Sequence, residues 1–268
     1  MPSILDHIVI TVSDYAQALR VFQAICGGEP AVHIADDGSA RFTRFYLGDS
    51  VVELAEPLGT PARGVGRSLS QRLMRTGPGV HLVCLPSSNL NDTIGALEAD
   101  GAMLIHGGGH VYVHPKSANG VLVQLTSRRE FGPKPRVGDA RFDHVAIAVN
   151  DLATASARWA KITGVTTQTM GVHPASNGAF QAARLVLGEQ IVELISPMPR
   201  VTSALTARLS SRGEGIAALA LPANSIDKTL SRLRASGTRV LNQPPHWMVH
   251  PKDASGVLVQ ITPRVAHQ

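Results

Sequence analysis

The chain is written twice, and nothing else in it restricts the fold so strongly. Leu5-Asp6-His7-Ile8-Val9-Ile10-Thr11-Val12-Ser13-Asp14 returns as Phe142-Asp143-His144-Val145-Ala146-Ile147-Ala148-Val149-Asn150-Asp151. Val51-Val52-Glu53-Leu54 returns as Ile191-Val192-Glu193-Leu194, and Val113-His114-Pro115-Lys116 as Val249-His250-Pro251-Lys252. Gly120-Val121-Leu122-Val123-Gln124 returns as Gly256-Val257-Leu258-Val259-Gln260. The spacing holds at about 136 to 140 residues throughout, as a tandem duplication requires. Residues 128–140, rich in Pro, Gly and charge, read as a linker between one domain over 1–127 and another over 141–268.

Each half divides again. Leu5 to Val12 alternates and is β-branched, which predicts a strand. Asp14 is placed to cap a helix from Tyr15 to Ile25, with Leu19, Phe22 and Ile25 at helical spacing and Gly27-Gly28 to stop it. Arg41 to Leu47 and Ser50 to Glu56 predict a hairpin turning at Gly48-Asp49. A helix near Leu69 to Arg75, a strand from Gly79 to Leu85, a helix from Asn89 or Asn91 to Ala99 and three short strands to Leu125 complete the half. The order strand, helix, three strands therefore occurs twice per half, giving four modules of about 67 residues. Pairing of modules one with two and three with four, or a crossed pairing, is equally compatible with the sequence.

Composition removes several function classes. Hydrophobic residues make up 44% of the 268, enough to bury a core in each half and to exclude disorder. No apolar run is long enough to span a bilayer. Met1 to His7 lacks the basic start of a signal peptide, so a cytoplasmic protein is expected, with Cys26 and Cys84 as buried thiols. Net charge is +5, but aromatics are only 4% and the basic residues are scattered outside the Arg128, Arg129, Lys134, Arg136 stretch. No nucleic acid and no membrane partner is expected; an anionic small molecule fits the charge. His106-Gly107-Gly108-Gly109 has no accompanying Gly-x-Ser-x-Gly elbow, and Gly213-Glu214-Gly215 precedes a strand where a dinucleotide loop would follow one.

The chemistry sits where polar groups interrupt apolar strands. His7 shares a strand face with Leu5, Val9 and Thr11, Glu53 with Val51 and Ala55, and Gln124 with Leu122 and Thr126. His144, Glu193 and Gln260 repeat the set. A carboxylate buried alone is costly, so Glu53 and Glu193 should each have a cation, a donor or water beside them. On the strand before His-Pro-Lys, His110, Tyr112 and His114 alternate onto one face, mirrored by His246, Met248 and His250. His110 and His246 are candidates to move protons, and His114, His250, Lys116, Lys252, Gln124 and Gln260 to bind substrate. Arg63, Arg67 and Arg72 receive no role.

The opening Asp-His-(Ile/Val)-x-Ile-x-Val-x-Asp, the Val-Glu-Leu strand and His-Pro-Lys-x-x-x-Gly-Val-Leu-Val-Gln resemble the vicinal oxygen chelate superfamily, nearest its methylmalonyl-CoA epimerase-like and glyoxalase-like branch. That resemblance implies an α+β fold: two tandem glyoxalase-like domains, four βαβββ modules, each pair forming a cup-shaped eight-stranded half-barrel. It also implies a divalent metal (Mn, Fe, Co, Ni or Zn) in the cup, chelating two neighbouring oxygens of a small substrate. The ligand positions fall on His7, Glu53, Leu82 and Gln124, and on His144, Glu193, Ala218 and Gln260. His81 is one residue out of place, which turns its side chain to the other face. Each cup thus lacks a His and carries an amide where a carboxylate belongs. Extradiol dioxygenase chemistry is not expected from such a set. An isomerase, epimerase or lyase is expected, with His7, Glu53, His144 and Glu193 as metal ligands or Glu53 and Glu193 as acid/base groups. The alternative is a metal-free binding or drug-sequestering protein. A monomer or homodimer is expected.

Overall fold

The computed structural model describes residues 4–127, 131, 138–173, 180–243 and 246–263. The first module is β1 (His7–Thr11), α1 (Tyr15–Cys26), β2 (Ala31–Ile34), β3 (Ala40–Tyr46) and β4 (Val51–Pro57), with α2 (Gly64–Thr76) leading on. The second is β5 (Gly79–Pro86), α3 (Leu90–Ala99), β6 (Leu104–Gly107), β7 (His110–Val113) and β8 (Val123–Thr126). The second half repeats the order with β9 (His144–Ala148), α4 (Leu152–Thr163), β10 (Gln168–His173), β11 (Phe180–Leu187), β12 (Gln190–Pro197) and α5 (Ala204–Arg212). It closes with β13 (Gly215–Ala220), α6 (Ile226–Ala235), β14 (Val240–Gln243), β15 (His246–Val249) and β16 (Leu258–Ile261).

Strand pairing settles the module question. One mixed eight-stranded sheet runs β2-β3-β4-β1-β5-β8-β7-β6 and the other β10-β11-β12-β9-β13-β16-β15-β14. Modules one and two share a sheet, as do three and four, which is the α+β architecture of two tandem glyoxalase-like domains. Neither sheet closes. In every module the first strand crosses over its helix to lie parallel to the last, as β1 does with β4 and β9 with β12. That crossover brings the polar positions of first and last strand side by side.

The local rules are obeyed where the sequence is explicit. The Asp14 carboxylate accepts from Gln17 N at 2.9 Å and Asp151 from Thr154 N at 3.0 Å, each filling an orphan donor of its helix. α1 buries Ala18, Val21, Phe22 and Ile25 against the sheet, with the Phe22 ring 6.4 Å from Phe45. The fully buried Trp159 does the same for α4. Such aromatic burial contributes about 2–3 kcal/mol per side chain. It also fixes which face of each sheet is covered: Phe45 points to the helix, so Arg44 points away from it.

α2 begins earlier than helical periodicity suggests, at Gly64 where Leu69 was expected. Two glycines in its first turn hide it from propensity. Gly66 N donates to Ser39 Oγ at 3.1 Å, and a side chain at Gly66 would meet Ser39 O at 2.2 Å, so contact dictates the residue there. Arg72, left without a role by the sequence, pins the end of this helix to the next strand, donating to Gly77 O at 2.9 Å and Val80 O at 3.1 Å. Arg208 repeats the device on Gly213 O and Ile216 O, both at 2.8 Å.

Packing divides the chain into two compact units. One comprises Met1–Asp6, Val83–Glu130 and His144–Ala217, and the other His7–Leu82, Phe131–Asp143 and Ala218–Gln268. Within the first, Glu214 accepts from Asn119 Nδ2 at 2.9 Å and from Asn150 N at 2.7 Å. Within the second, α1 packs on α6 and Arg232 Nε donates to Ala24 O at 2.9 Å. Cys26 and Cys84 are buried free thiols, as expected, and burial pushes the Cys26 thiol far above its ordinary range.

Candidate functional site

The partner expected beside each buried carboxylate (a cation, a donor or water) is a cation, an arginine on the adjacent strand. Register sets Arg44 of β3 directly opposite Glu53 of β4, and Arg184 of β11 opposite Glu193 of β12. Arg44 Nε donates to Glu53 Oε2 at 2.5 Å, and Arg184 Nε to Glu193 Oε1 at 2.9 Å. The carboxylates are 6% and 12% exposed and the guanidiniums 22% and 33%, so each pair reaches from the sheet interior toward its surface. A charge-assisted hydrogen bond of this kind offsets the desolvation that would otherwise drive the carboxylate out. Sequence reasoning missed both arginines. The signal was present: an Arg stands nine residues before the Glu in each half, an odd charge within an apolar strand.

A histidine completes each group. Val9 is the register partner of Glu53, so His7, two residues back on β1, lies on the same face. In the second half Ala146 pairs with Glu193, and His144 Nε2 stands 3.9 Å from Glu193 Oε2. Phe131, from the stretch read as a linker, joins the first group: its ring meets the His7 ring edge-on at 4.9 Å, and the Arg44 guanidinium lies 4.5 Å over its face. Nothing in the sequence marked this phenylalanine.

The remaining candidates occupy the second strand set of each half. Gln124 on β8 has Tyr112 of β7 as its register partner, and its Nε2 is 3.3 Å from His110 Nδ1. Gln260 on β16 faces Met248 of β15, two residues from His246. His114 and His250 were expected to extend these strands. Instead the strands end at Val113 and Val249, and each His turns the chain, its Nδ1 accepting from the Lys116 or Lys252 backbone N at 3.1 Å. Accepting at Nδ1 leaves the ring proton on Nε2 in the neutral form. Lys116 and Lys252 sit on those turns.

The residues do not fit the four-ligand divalent ion that the resemblance implies. Leu82 and Ala218, both buried, offer no donor at the third position. Gln124 and Gln260 bring no charge to the fourth. Each carboxylate is already hydrogen-bonded to a guanidinium, a fixed positive charge that repels a second cation at the same oxygens. His81 cannot substitute for Leu82: its side chain lies on the opposite face of β5, beside Arg72 and with Nδ1 lacking a partner among the described residues. Burial, with Arg72 adding to it, lowers the His81 pKa to about 4 from an ordinary 6.5. The unfolded chain therefore binds this proton more readily. The contribution is complete above pH 6.5 and is lost as pH falls toward 4, costing about 2 kcal/mol by pH 5. Urea unfolding at pH 7 and pH 5 should show that loss in the wild-type chain and a much smaller one in His81→Leu; equal losses would contradict it.

With two open sheets of βαβββ modules and a His–Glu group in each, the chain belongs to the vicinal oxygen chelate superfamily. The model of the Glyoxalase/Bleomycin resistance protein/Dioxygenase superfamily matches residues 6–118, and that of the Glyoxalase-like domain residues 142–260. The chain is 24% identical over 135 residues to the mitochondrial methylmalonyl-CoA epimerase of Dictyostelium discoideum, spanning 46% of this chain and 78% of that protein. It is 29% identical over 132 residues to the Homo sapiens protein of the same name, spanning 45% and 72%. A triple mutant of 4-hydroxymandelate synthase from Streptomyces coelicolor superposes with TM-score 0.78 at 15% identity, covering 100% of this chain and 94% of that one, which shows a common fold. Among the described residues no helix is long and apolar enough to cross a membrane.

Proposed function

We propose that this chain is an enzyme of the isomerase, epimerase or lyase type that takes a proton from carbon beside a carbonyl of a small, oxygen-rich, anionic substrate. One observation supports this above the others: a buried carboxylate paired with an Arg on the adjacent strand in both halves, with a His on the same sheet face that stands 3.9 Å from Glu193 in the second. Glu193 or Glu53 accepts the proton, the C–H electron pair passes to the carbonyl oxygen, and return of the proton to the other face or to another atom completes the turnover. His144, 3.9 Å from Glu193, and His7, on the same sheet face as Glu53, serve as proton donors. His110 and His246 are second candidates for that role, with Gln124 and Gln260 on the neighbouring strands to orient substrate. Lys116 and Lys252, on the His-Pro-Lys turns, are positioned to meet the anionic tail of a thioester carrier. Relatives named as methylmalonyl-CoA epimerases support an acyl thioester as the first compound to try.

The test is solvent exchange in D2O, followed by proton NMR on methylmalonyl-CoA and on small 2-oxo acids. The wild-type chain should accelerate loss of the α-proton signal, and Glu53→Gln with Glu193→Gln should slow it about 100-fold or more. A compound that binds tightly while its α-proton stays in place would sink the reading and identify a sequestering protein instead.

A further inference from the structure

We infer that Arg44 and Arg184 are the resident cations of the two sites. They receive a pair of neighbouring anionic oxygens where the resemblance places a divalent ion, and the ligand is a carboxylate or enolate with two adjacent oxygens. This rests on the reading above for where the ligand sits, but not for turnover.

Three observations converge. The arginine recurs at the same register in both halves although its neighbours differ, Phe42-Thr43-Arg44-Phe45-Tyr46 against Ala182-Ala183-Arg184-Leu185-Val186. Drift around a retained charge is what a functional cation predicts, whereas a strand needing only apolar packing has no use for one. Second, among the described residues each guanidinium spends Nε alone on its glutamate. The terminal Nη1 and Nη2 form the planar fork that grips two oxygens at once. Phe131 lies over the face of the Arg44 guanidinium and so leaves the in-plane N–H groups available. Third, the positions where the resemblance places metal ligands carry no donor at Leu82 and Ala218 and no charge at Gln124 and Gln260, in both halves alike. The arginine supplies there the fixed positive charge that meets charge developing on the ligand oxygens.

Oxalate, with two adjacent carboxylate oxygens, is the probe. Isothermal titration of the full chain with oxalate in excess EDTA should show binding, and elemental analysis should find metal far below one ion per chain. Arg44→Lys with Arg184→Lys keeps the charge opposite each glutamate but removes the fork, and should weaken oxalate about tenfold or more with the melting temperature nearly unchanged. Binding that appears only when Mn2+ or Co2+ is supplied, no binding in EDTA, or unchanged affinity in the lysine variant would each overturn the inference. Oxalate binding by a chain that catalyses no proton exchange would support it while removing the enzymatic reading, so the two fail separately.

Discussion

Gly256→Ala is expected to lower the unfolding free energy by about 3 kcal/mol or more, and Gly120→Ala by a similar amount. Both glycines close the His-Pro-Lys-x-x-x-Gly run, and two terms add at each. Their φ angles are +79° and +78°, a region where alanine costs about 1 kcal/mol. A Cβ would also stand 2.4 Å from Pro78 O at Gly256 and 2.1 Å from Glu214 O at Gly120, well inside contact with backbone that cannot swing away. Gly38 separates the terms, because its φ is +69° and a Cβ there meets nothing within 4 Å. Gly38→Ala should therefore cost about 1 kcal/mol, the conformational part alone. Urea midpoints for the three variants check this. Equal losses at Gly38 and Gly256 would mean that close approach contributes nothing.

Much of this fold is legible in the sequence alone. Duplication made every motif appear twice, so alternation at β1 and β9, the Asp14 and Asp151 caps, and the Gly48 hairpin each had an independent copy. Such features are local, and local chemistry is written in adjacent residues. Two things were not. Module pairing depends on contacts between segments far apart in sequence, and both pairings bury the same apolar faces. The start of α2 depends on Ser39, whose backbone demands a glycine at a position where propensity argues against a helix.

The site divides along the same line. His7, Glu53, His144 and Glu193 stood out because each is polar within an apolar strand, and the cost of burying a bare carboxylate required a partner. The identity of that partner was a matter of cross-strand register. Once the hairpin turn at Gly48-Asp49 is set, the residue opposite Glu53 follows, and it is Arg44. Register was thus derivable from the predicted hairpin, and the repeat at Arg184 would have confirmed it. Phe131 was not derivable, since a single aromatic in a Pro- and Gly-rich stretch carries no periodicity. His114 and His250 were misplaced by one residue of strand, because the proline after each ends the ladder and makes the His a turn residue.

Arg44→Met is expected to destabilise the chain by about 3 kcal/mol, because it leaves Glu53 buried without its cation. Methionine keeps much of the volume and still covers Phe131, so the loss reports charge more than packing. Adding Glu53→Leu should return most of that stability, since two apolar side chains at these positions bury well and leave no charge to solvate. Arg184→Met and Glu193→Leu should behave alike but with smaller amplitude, as that pair is more open, 33% and 12% exposed against 22% and 6%. Urea unfolding of the four single and two double variants closes both cycles. A double variant as unstable as the single one would make the pair part of the scaffold. The expected recovery has a stronger meaning: if an apolar pair serves the fold equally well, stability does not explain why both halves carry Arg opposite Glu. Ligand chemistry does. The doubly substituted chain should then remain folded while losing oxalate binding and proton exchange together.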